Sequence, residues 1–205
     1  MPVQCDSKAE IKVRMIRAAA NLFHKQGVHL TTPEEVVEAA GARVNQFYHH
    51  FSNKEGLIHE VLQTYYEAIK YADGPVNSVN YDISTWRDLE KWFLAHIKLQ
   101  KRFQMKRGCP FGTVGNELVE QDGAVREDLS RIFELVKSKL VAFFAKEKKA
   151  KRLAENASAE LLADFCIATI QGAMLVGKVK KNSRPVEATV RETLAHLKGY
   201  SVARK

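Results

Sequence analysis

Four consecutive residues, Arg43-Val44-Asn45-Gln46, carry side chains that suit the recognition of base edges. The amides of Asn45 and Gln46 can pair with adenine, whereas the guanidinium of Arg43 can bond to guanine or to a phosphate. Val44 can contact the methyl group of thymine. These side chains can do this chemistry only from an exposed helix whose first turn enters the major groove. The surrounding sequence must therefore supply that helix and the elements that hold it.

The sequence around these residues predicts two short helices joined by a tight turn. Thr32-Pro33-Glu34-Glu35 is a helix start, because it combines a threonine cap, a proline in the first turn and a glutamate that completes a capping box. Gly41 ends this helix and suits a turn that needs a positive φ. The second helix covers roughly Val44 to His50. Residues 30–57 are thus predicted to form a helix-turn-helix.

An amphipathic helix is predicted ahead of that segment, from about Ser7 to Gln26, and Gly27 ends it as a left-handed residue would. We expect its apolar stripe to cover the inner faces of the two short helices. Those inner faces consist of Val36, Val37, Ala40, Phe47 and Phe51. The three helices then form one small module that leaves residues 43–46 outside.

The segment from residue 11 to residue 62 resembles the TetR family of bacterial regulators. The features that match are Leu22-Phe23, Gly27, Thr31-Thr32, Ala40-Gly41, Tyr48-His49-His50-Phe51 and Lys54-Glu55-Gly56-Leu57. The resemblance implies an all-α fold of about nine helices, with an N-terminal three-helix module and a C-terminal helical body that binds a ligand and dimerises. It also implies a homodimeric repressor of a palindromic operator in double-stranded DNA, released by a small apolar or aromatic effector.

The resemblance implies four phosphate contacts, at Thr32, Tyr48, His49 and Lys54. Each of these side chains offers a hydrogen-bond donor. The sequence departs from the family at two positions of the recognition helix. Arg43 stands where the family often has a capping serine or threonine, a loss that we expect to cost ~1 kcal/mol. Asn45 stands where glycine is common, so both departures bear on the operator sequence rather than on the fold.

Six further helices are predicted beyond the helix-turn-helix. They cover Lys54–Ala72, Ser84–Lys106, Phe111–Leu118, Ala124–Lys149, Ser158–Lys178 and Pro185–Leu197. Asp73-Gly74-Pro75, followed by Asn77–Asn80, is the clearest linker. We predict a DNA-binding domain over residues 1–53 and a ligand-binding and dimerisation domain over residues 54–205.

The last two helices are predicted to form the dimer interface. The helix from Ser158 is apolar on more than one side, and small residues four apart would let another helix approach closely. The predicted interface residues are Thr169, Gly172, Ala173, Val176, Gly177, Val190 and Leu194. The alternative is that both helices belong to the core of a single chain.

Aromatic residues cluster in the middle helices, and a subset of them is expected to line an effector pocket. The candidates for that pocket are Trp92, His96, Phe111, Phe133 and Met174. For each of them the alternative is ordinary core packing. His96 in particular falls on an apolar stripe, which favours a buried structural histidine.

Cys109 lies in the segment Arg107-Gly108-Cys109-Pro110, which resembles the Gly-Cys-Pro-x-Gly segment of one branch of TetR-like regulators. A cysteine near the positive end of a helix is ionised more readily than a free one. A thiol-based redox or electrophile sensor is therefore an alternative function. The plainer interpretation is a tight turn that holds a small buried thiol.

Charge alone does not identify a DNA-binding surface in this chain. The net charge is +8, yet residues 1–60 contain seven Lys/Arg and seven Asp/Glu, which gives zero. The basic excess lies further along, for example in Lys98 to Arg107. A protein that binds DNA without sequence preference remains an alternative to an operator-specific one.

Other classes of protein find little support in the sequence. It contains no HExxH, GxSxG or Walker-type sequence, so we predict no enzymatic activity, cofactor or metal. Three cysteines without paired spacing argue against a disulfide framework or a zinc site. We expect a cytoplasmic protein without membrane contact, because no signal peptide is visible and Leu161–Val176 is too short to span a bilayer.

Overall fold

A computed structural model describes residues 7–71, 79–120 and 122–202 of the chain. Within these ranges the chain forms nine helices and no β-sheet, so the predicted all-α fold is confirmed. The helices are α1 Lys8–Gln26, α2 Pro33–Ala40, α3 Val44–Phe51, α4 Lys54–Tyr71, α5 Trp86–Arg102, α6 Pro110–Leu118, α7 Gly123–Lys149, α8 Ala159–Lys180 and α9 Arg184–Gly199. A single antiparallel bridge in the described part joins Leu153 and Ser201.

Capping boxes fix the starts of three of these helices. At α1, Glu10 N–H donates to the Ser7 hydroxyl and Ser7 N–H donates to the Glu10 carboxylate, at 3.3 and 2.7 Å. Thr32 and Glu35 form the predicted box at α2. Thr85 forms an equivalent box at α5. These local bonds satisfy N–H groups that have no partner inside the helix, so the sequence predicts these starts well.

The predicted end of the fifth helix differs from the structure. α5 ends at Arg102 rather than at Lys106, because Gln104 and Met105 adopt positive φ angles of 52° and 58°. The side chain of Met105 is buried close to Gly177 in α8, and this packing favours the turn over another helical turn. The predicted linker falls largely on residues 72–78, outside the described ranges. Its described part is packed, since Val79 is buried.

The chain divides into two compact units, one of residues 1–66 and 110–130 and the other of residues 67–109 and 131–205. Two of the three boundaries fall inside α4 and α7, and the third falls at the start of α6. This division reflects which residues pack together. The predicted boundary after residue 53 instead separates the DNA-binding function from the ligand-binding and dimerisation functions. The functional boundary stays a prediction.

In the first unit, α1 packs against α2, α3 and α6. Its buried core includes Met15, Ala19, Phe23, Val36, Phe47 and Leu57. In the second unit, α8 packs along α9, and α5 packs against both. The core there includes Leu89, Phe93, Leu140, Phe144, Ala163 and Val186.

Helix α8 is unusually apolar for a surface helix. It has 22 residues, and an 18-residue window has a mean hydropathy of 1.5, with 33% of that window buried within the chain. By length and composition alone the whole helix is able to cross a bilayer, whereas the prediction from the sequence concerned only the shorter stretch Leu161–Val176. The exposed apolar side chains are Leu161, Phe165, Leu175, Val176 and Val179. Exposed apolar surface of this kind is typical of an interaction site.

Gly56 controls the corner between α3 and α4. A Cβ atom at this position would lie 2.2 Å from the carbonyl oxygen of Phe51, which belongs to the backbone and cannot move aside. We predict that Gly56→Ala lowers the free energy of unfolding by about 1–3 kcal/mol. Urea unfolding followed by circular dichroism would measure the change.

Gly123→Ala is the matched control, because no atom lies within 4 Å of the added Cβ. We expect this variant to be as stable as the unaltered protein. Equal stability of the two variants would contradict the steric argument.

Candidate nucleic-acid interface and effector site

A tight turn connects α2 to α3. Gly41 lies in the left-handed region with φ 60° and ψ 41°, as the sequence predicts. Its N–H donates to Glu38 O at 3.1 Å, and Ala42 N–H donates to Val37 O at 2.8 Å. These bonds satisfy the last carbonyls of α2 and reverse the chain within two residues. They set the direction in which α3 begins.

The eight residues of α3 separate into a buried face and an exposed face. Phe47 and Phe51 are buried, and their rings meet at 5.4 Å between centroids. The exposed residues are Arg43, Val44, Asn45, Tyr48 and His49, and Gln46 is half-buried. The exposed helical tip that base reading requires is therefore present. Contact of these residues with DNA stays a prediction.

The start of α3 is capped in a way that sequence reasoning missed. Arg43 N–H donates to Oε1 of Gln46 at 2.9 Å, which is the reciprocal half of a capping box. The half that a serine hydroxyl would supply, to the N–H of Gln46, is not made by the Arg43 side chain, and that N–H donates to Arg43 O at 3.0 Å. Because Oε1 of Gln46 takes part in this bond, Asn45 is the freer of the two amides for base contact.

The predicted phosphate-binding side chains lie on α3 and at the starts of α2 and α4. The Thr32 hydroxyl accepts from Glu35 N–H at 3.3 Å, and its own proton stays available to an acceptor. Tyr48 and His49 are exposed on α3. Lys54 is half-buried at the first residue of α4, where the helix dipole also favours an anion.

Glu35 is drawn into local hydrogen bonds rather than left as a free negative charge. Its carboxylate accepts from Thr32 N–H at 2.9 Å and from the Gln26 amide at 3.1 and 3.2 Å. The backbone bond from Thr32, followed by that from Gln26, lowers the pKa of this carboxyl below its usual value. The negative charge of Glu35 therefore lies between Gln26 at the end of α1 and Thr32 at the start of α2.

Helix α1 holds the helix-turn-helix through two polar contacts as well as its apolar stripe. Arg14 Nε–H donates to the carbonyl of Ala40 at 2.9 Å, at the end of α2. Lys12 pairs with Glu60 of α4 at 2.7 Å. Both contacts connect elements of the first unit that lie far apart in sequence.

Glu117 of α6 contacts the loop between α1 and α2. Its Oε2 accepts from His29 N–H at 2.8 Å, and a Cβ atom at Gly27 would lie 2.4 Å from its Oε1. Gly27 has φ 95° and ψ 164°, so its φ is positive but it is not left-handed helical as expected. Only glycine leaves room for the carboxylate there. Sequence reasoning missed Glu117, because the pairing spans 88 positions.

The candidate effector residues fall into different parts of the chain. Trp92, His96 and Met174 are buried in the second unit, and Phe133 is half-buried there. Phe111 belongs to the first unit, where its ring meets Tyr65 at 5.2 Å. Their role in ligand binding stays a prediction.

A row of buried polar groups follows one face of α5, at steps of four residues. Trp92, His96 and Gln100 are 2%, 7% and 2% exposed. His96 Nδ1 lies 2.8 Å from Trp92 O, and the Gln100 amide donates to Met174 O at 3.5 Å. Within the described residues, Trp92 Nε1 and Gln100 Oε1 have no hydrogen-bond partner. A buried polar atom in this situation costs about 1–3 kcal/mol.

Burial keeps the His96 imidazole neutral at pH 7. Desolvation lowers its pKa to about 4, and the bond to the Trp92 carbonyl opposes this only in part. Because the carbonyl can only accept, Nδ1 carries the proton and Nε2 offers a lone pair. The sequence did not predict that Gln100 is buried, because glutamine is a polar residue that usually lies at the surface.

A groove of about 400 Å³ lies between α5 and α9. Its walls include Leu94, Ile97, Val190 and Leu194. None of the five candidate effector residues lines it, because the groove follows a different face of α5 from the row at residues 92, 96 and 100.

Cys109 is buried, and the amide of Gln171 donates to its Sγ at 3.3 Å. Cys166 is also buried, and burial raises the pKa of its thiol to about 12. Cys5 lies outside the described residues. The burial of Cys109 favours the plainer interpretation of a small packed thiol over a reactive one.

The predicted dimer residues divide between the core and the surface. Ala173, Gly177, Val190 and Leu194 are buried inside the second unit. Gly177 faces Val186, whose Cγ2 would lie 2.5 Å from an added Cβ. The burial of these four residues fits the alternative of a core within a single chain, because small and apolar residues suit both settings, and their place in an interface stays a prediction. Gly172 and Val176 are exposed and Thr169 is half-buried.

Comparison with known proteins defines the class. Residues 15–61 match the family model described as bacterial regulatory proteins, tetR family. Residues 87–193 match the model of a tetracyclin repressor-like C-terminal domain. The second match alone covers more than half of the chain. The protein belongs to the TetR family, and its helix-turn-helix is the DNA-binding element of a transcription regulator.

Individual relatives agree with this assignment. The chain is 26% identical over 183 residues to the HTH-type transcriptional repressor DhaR of Mycobacterium sp. (strain GP1), covering 88% of this chain and 89% of DhaR. It is 34% identical over 56 residues, 27% of this chain and 28% of the relative, to the repressor KstR2 of Rhodococcus jostii (strain RHA1). A TetR-family regulator from Agrobacterium tumefaciens has the same fold, with a TM-score of 0.80 at 17% identity over 93% of this chain and 99% of that one.

We predict that Glu117→Ala destabilises the first unit and weakens DNA binding, because the loop that carries Thr32 loses its bond at His29. The expected effect on stability is about 1–3 kcal/mol, the cost of a hydrogen bond to a charged group. Unfolding in urea and fluorescence anisotropy with labelled DNA would measure the two effects.

Glu120→Ala is the control, because Glu120 follows α6 and is exposed. It should leave both quantities unchanged. If Glu117→Ala behaved like the control, Glu117 would have no part in positioning the loop.

Proposed function

We propose that this protein is a homodimeric repressor that binds a palindromic operator and is released from it by a small apolar or aromatic effector. The single observation that carries the proposal is the exposed first turn of α3, with Phe47 and Phe51 buried behind it. A recognition helix needs this division, since its outer side chains read bases while its inner ones hold it in place. The relatives DhaR and KstR2 are both described as repressors, which supports repression as the outcome of binding.

Dimerisation is proposed through the exposed face of α8. Its surface residues alternate in steps of four and three: Leu161, Phe165, Ala168, Gly172, Leu175 and Val179. Leu161, Leu175 and Val179 are 69%, 56% and 73% exposed, which is unusual for large apolar side chains. A seam with this spacing is typical of helix–helix contact. Val176 lies one turn after Gly172 and is also exposed, so we propose that it borders the same seam.

A second copy of this chain is the occupant that best fits the seam. A two-fold axis across α8 pairs the helix with an antiparallel copy of itself. Glu160 and Asp164 near its start then face Lys178 and Lys180 near the end of the copy, so the charges are complementary. Asp164 and Glu160 also contact Lys137 of their own chain, at 2.8 and 3.5 Å. Ion pairs at its end favour a protein interface over a bilayer for this helix.

Effector release is proposed to be a shift between two dimer conformations. One spaces the two recognition helices for major grooves about 34–36 Å apart, and the effector binds the other more tightly. Within the first unit, the contact of Glu117 with the α1–α2 loop ties α6 to the helix-turn-helix. A movement of α6 is therefore able to change the setting of α3. The buried state of Cys109 gives no support to the alternative of a thiol sensor.

Selection of bound duplexes from a random pool tests the proposal directly. We expect a palindrome with half-sites one helical turn apart. Asn45→Ala should change the preferred base at one position of each half-site, at about 1–3 kcal/mol or roughly ten- to a hundredfold in affinity. Lys54→Ala should weaken all sites alike and reduce the salt dependence of binding by about one phosphate contact.

The two variants are controls for each other. Asn45→Ala should leave the salt dependence of binding unchanged, and Lys54→Ala should leave the preferred bases unchanged. Binding without any sequence preference would instead support the alternative of a non-specific DNA-binding protein.

The α8 seam predicts a specific loss of self-association. Val176→Glu should convert the dimer to a monomer at micromolar concentration, since the two-fold axis brings two new carboxylates into an apolar interface. Sedimentation velocity would measure the molecular mass. Val13→Glu is the matched control, because Val13 on α1 is 48% exposed, against 41% for Val176, and lies outside the seam. A dimeric Val176→Glu protein would refute the proposed interface.

A further inference from the structure

We propose that the effector is an uncharged ring compound with a hydrogen-bond donor at one end and an acceptor at the other, held at the buried face of α5 by Trp92, His96 and Gln100. The inference rests on the proposed function, because it names the chemistry of the effector that this function requires. The three residues define the site by their hydrogen-bonding capacity, their lack of charge and the rings around them.

The row has one hydrogen-bond donor and two acceptors that are left without partners among the described residues. The indole N–H of Trp92 can only donate, so it requires an acceptor. The Gln100 amide group faces the carbonyl of Met174, which fixes the orientation of the side chain and leaves Oε1 as an acceptor. Nε2 of the neutral His96 ring, which has no partner in the described ranges, is a second acceptor. A ligand for this row must therefore both accept and donate.

The spacing of the row indicates where the polar groups of the ligand stand. Trp92 and Gln100 are two turns apart, which corresponds to about 12 Å along the helix axis. The two unpartnered atoms, Trp92 Nε1 and Gln100 Oε1, therefore start from separate turns of the helix. A ligand that meets both needs two polar groups held apart, as on opposite sides of a ring.

The absence of charge in the row selects a neutral ligand. None of the three side chains is ionised at pH 7, since the His96 pKa is lowered to about 4. A buried carboxylate or ammonium ligand would need a partner of opposite charge, which this row does not supply.

Aromatic rings beside the row favour a ring in the ligand. The Trp92 and His96 rings lie 4.7 Å apart with an interplanar angle of 71°. Tyr81 presents its ring to both, at 6.5 and 6.4 Å between centroids. A flat ring in the ligand would meet these rings in the edge-to-face or offset geometry that aromatic pairs prefer.

The test uses the full-length protein labelled with ¹⁵N-tryptophan, whose two indole N–H signals are observed by NMR. Trp86 is an internal reference, because its Nε1–H already donates to Glu147 at 2.9 Å. A Trp86→Phe variant assigns the two signals. The probe is 4-hydroxyacetophenone, and its matched controls are 4-methylacetophenone, which lacks the donor, and 4-hydroxybenzoate, which is an anion.

We expect 4-hydroxyacetophenone to shift the Trp92 signal and to leave the Trp86 signal in place. Each control compound should bind at least tenfold more weakly. Gln100→Met should abolish the preference for the hydroxyl compound over its methyl analogue. The same variant should unfold at an unchanged or higher Tm, since it removes an atom without a partner, and this shows that the loss is not one of folding.

Equal binding of the three compounds, no shift of the Trp92 signal, or an unchanged preference in Gln100→Met would each overturn the inference. Operator binding without any compound is measured separately. If the protein binds no operator, the proposed repressor function is refuted, whereas the NMR result on the α5 row remains valid. A repressor that binds its operator but shows no preference for the hydroxyl compound refutes only the chemistry assigned to the effector.

Discussion

Burial of Phe47 and Phe51 against the first unit is the interaction on which the DNA-reading surface depends. An eight-residue helix is not stable by itself in water, because the cost of forming its first turn is not recovered over so short a length. Packing of these two rings supplies the missing stability and at the same time decides which side of α3 faces outward. Arg43, Val44 and Asn45 are exposed as a direct consequence.

The same first unit holds this small assembly in place with a few long-range polar contacts. Arg14 bonds to the end of α2, and Glu117 bonds to the loop that precedes it. Both are single side chains that reach backbone groups, so each leaves an unsatisfied group behind when it is removed. A regulator benefits from such contacts, because a small displacement of α6 or α1 alters the setting of the recognition helix without unfolding it.

The second unit is organised by the surplus of apolar surface on α8. One side of that helix fills the core through Ala163 and Ala173, and the other side remains exposed through Leu161 and Val179. Hydrophobic surface of this extent is costly in water, which makes association of two chains favourable. Inside the same unit, two buried polar atoms on α5 have no hydrogen-bond partner among the residues that the structure describes. The single chain therefore carries two unfavourable features, which are exposed apolar surface on α8 and buried polar atoms on α5 without partners in the described part of the chain.

The sequence by itself determined the helices, the capped start of α2, the turn at Gly41 and the family, because these depend on neighbouring residues. It did not determine that Gln46 caps α3, that Glu117 meets Gly27, or that Ala173 and Gly177 point into the core while Val176 points out. Those features depend on contacts between residues distant in the chain, and an apolar side chain has the same sequence signature in a core and in an interface. Only the tertiary structure assigns each side of a helix to one or the other.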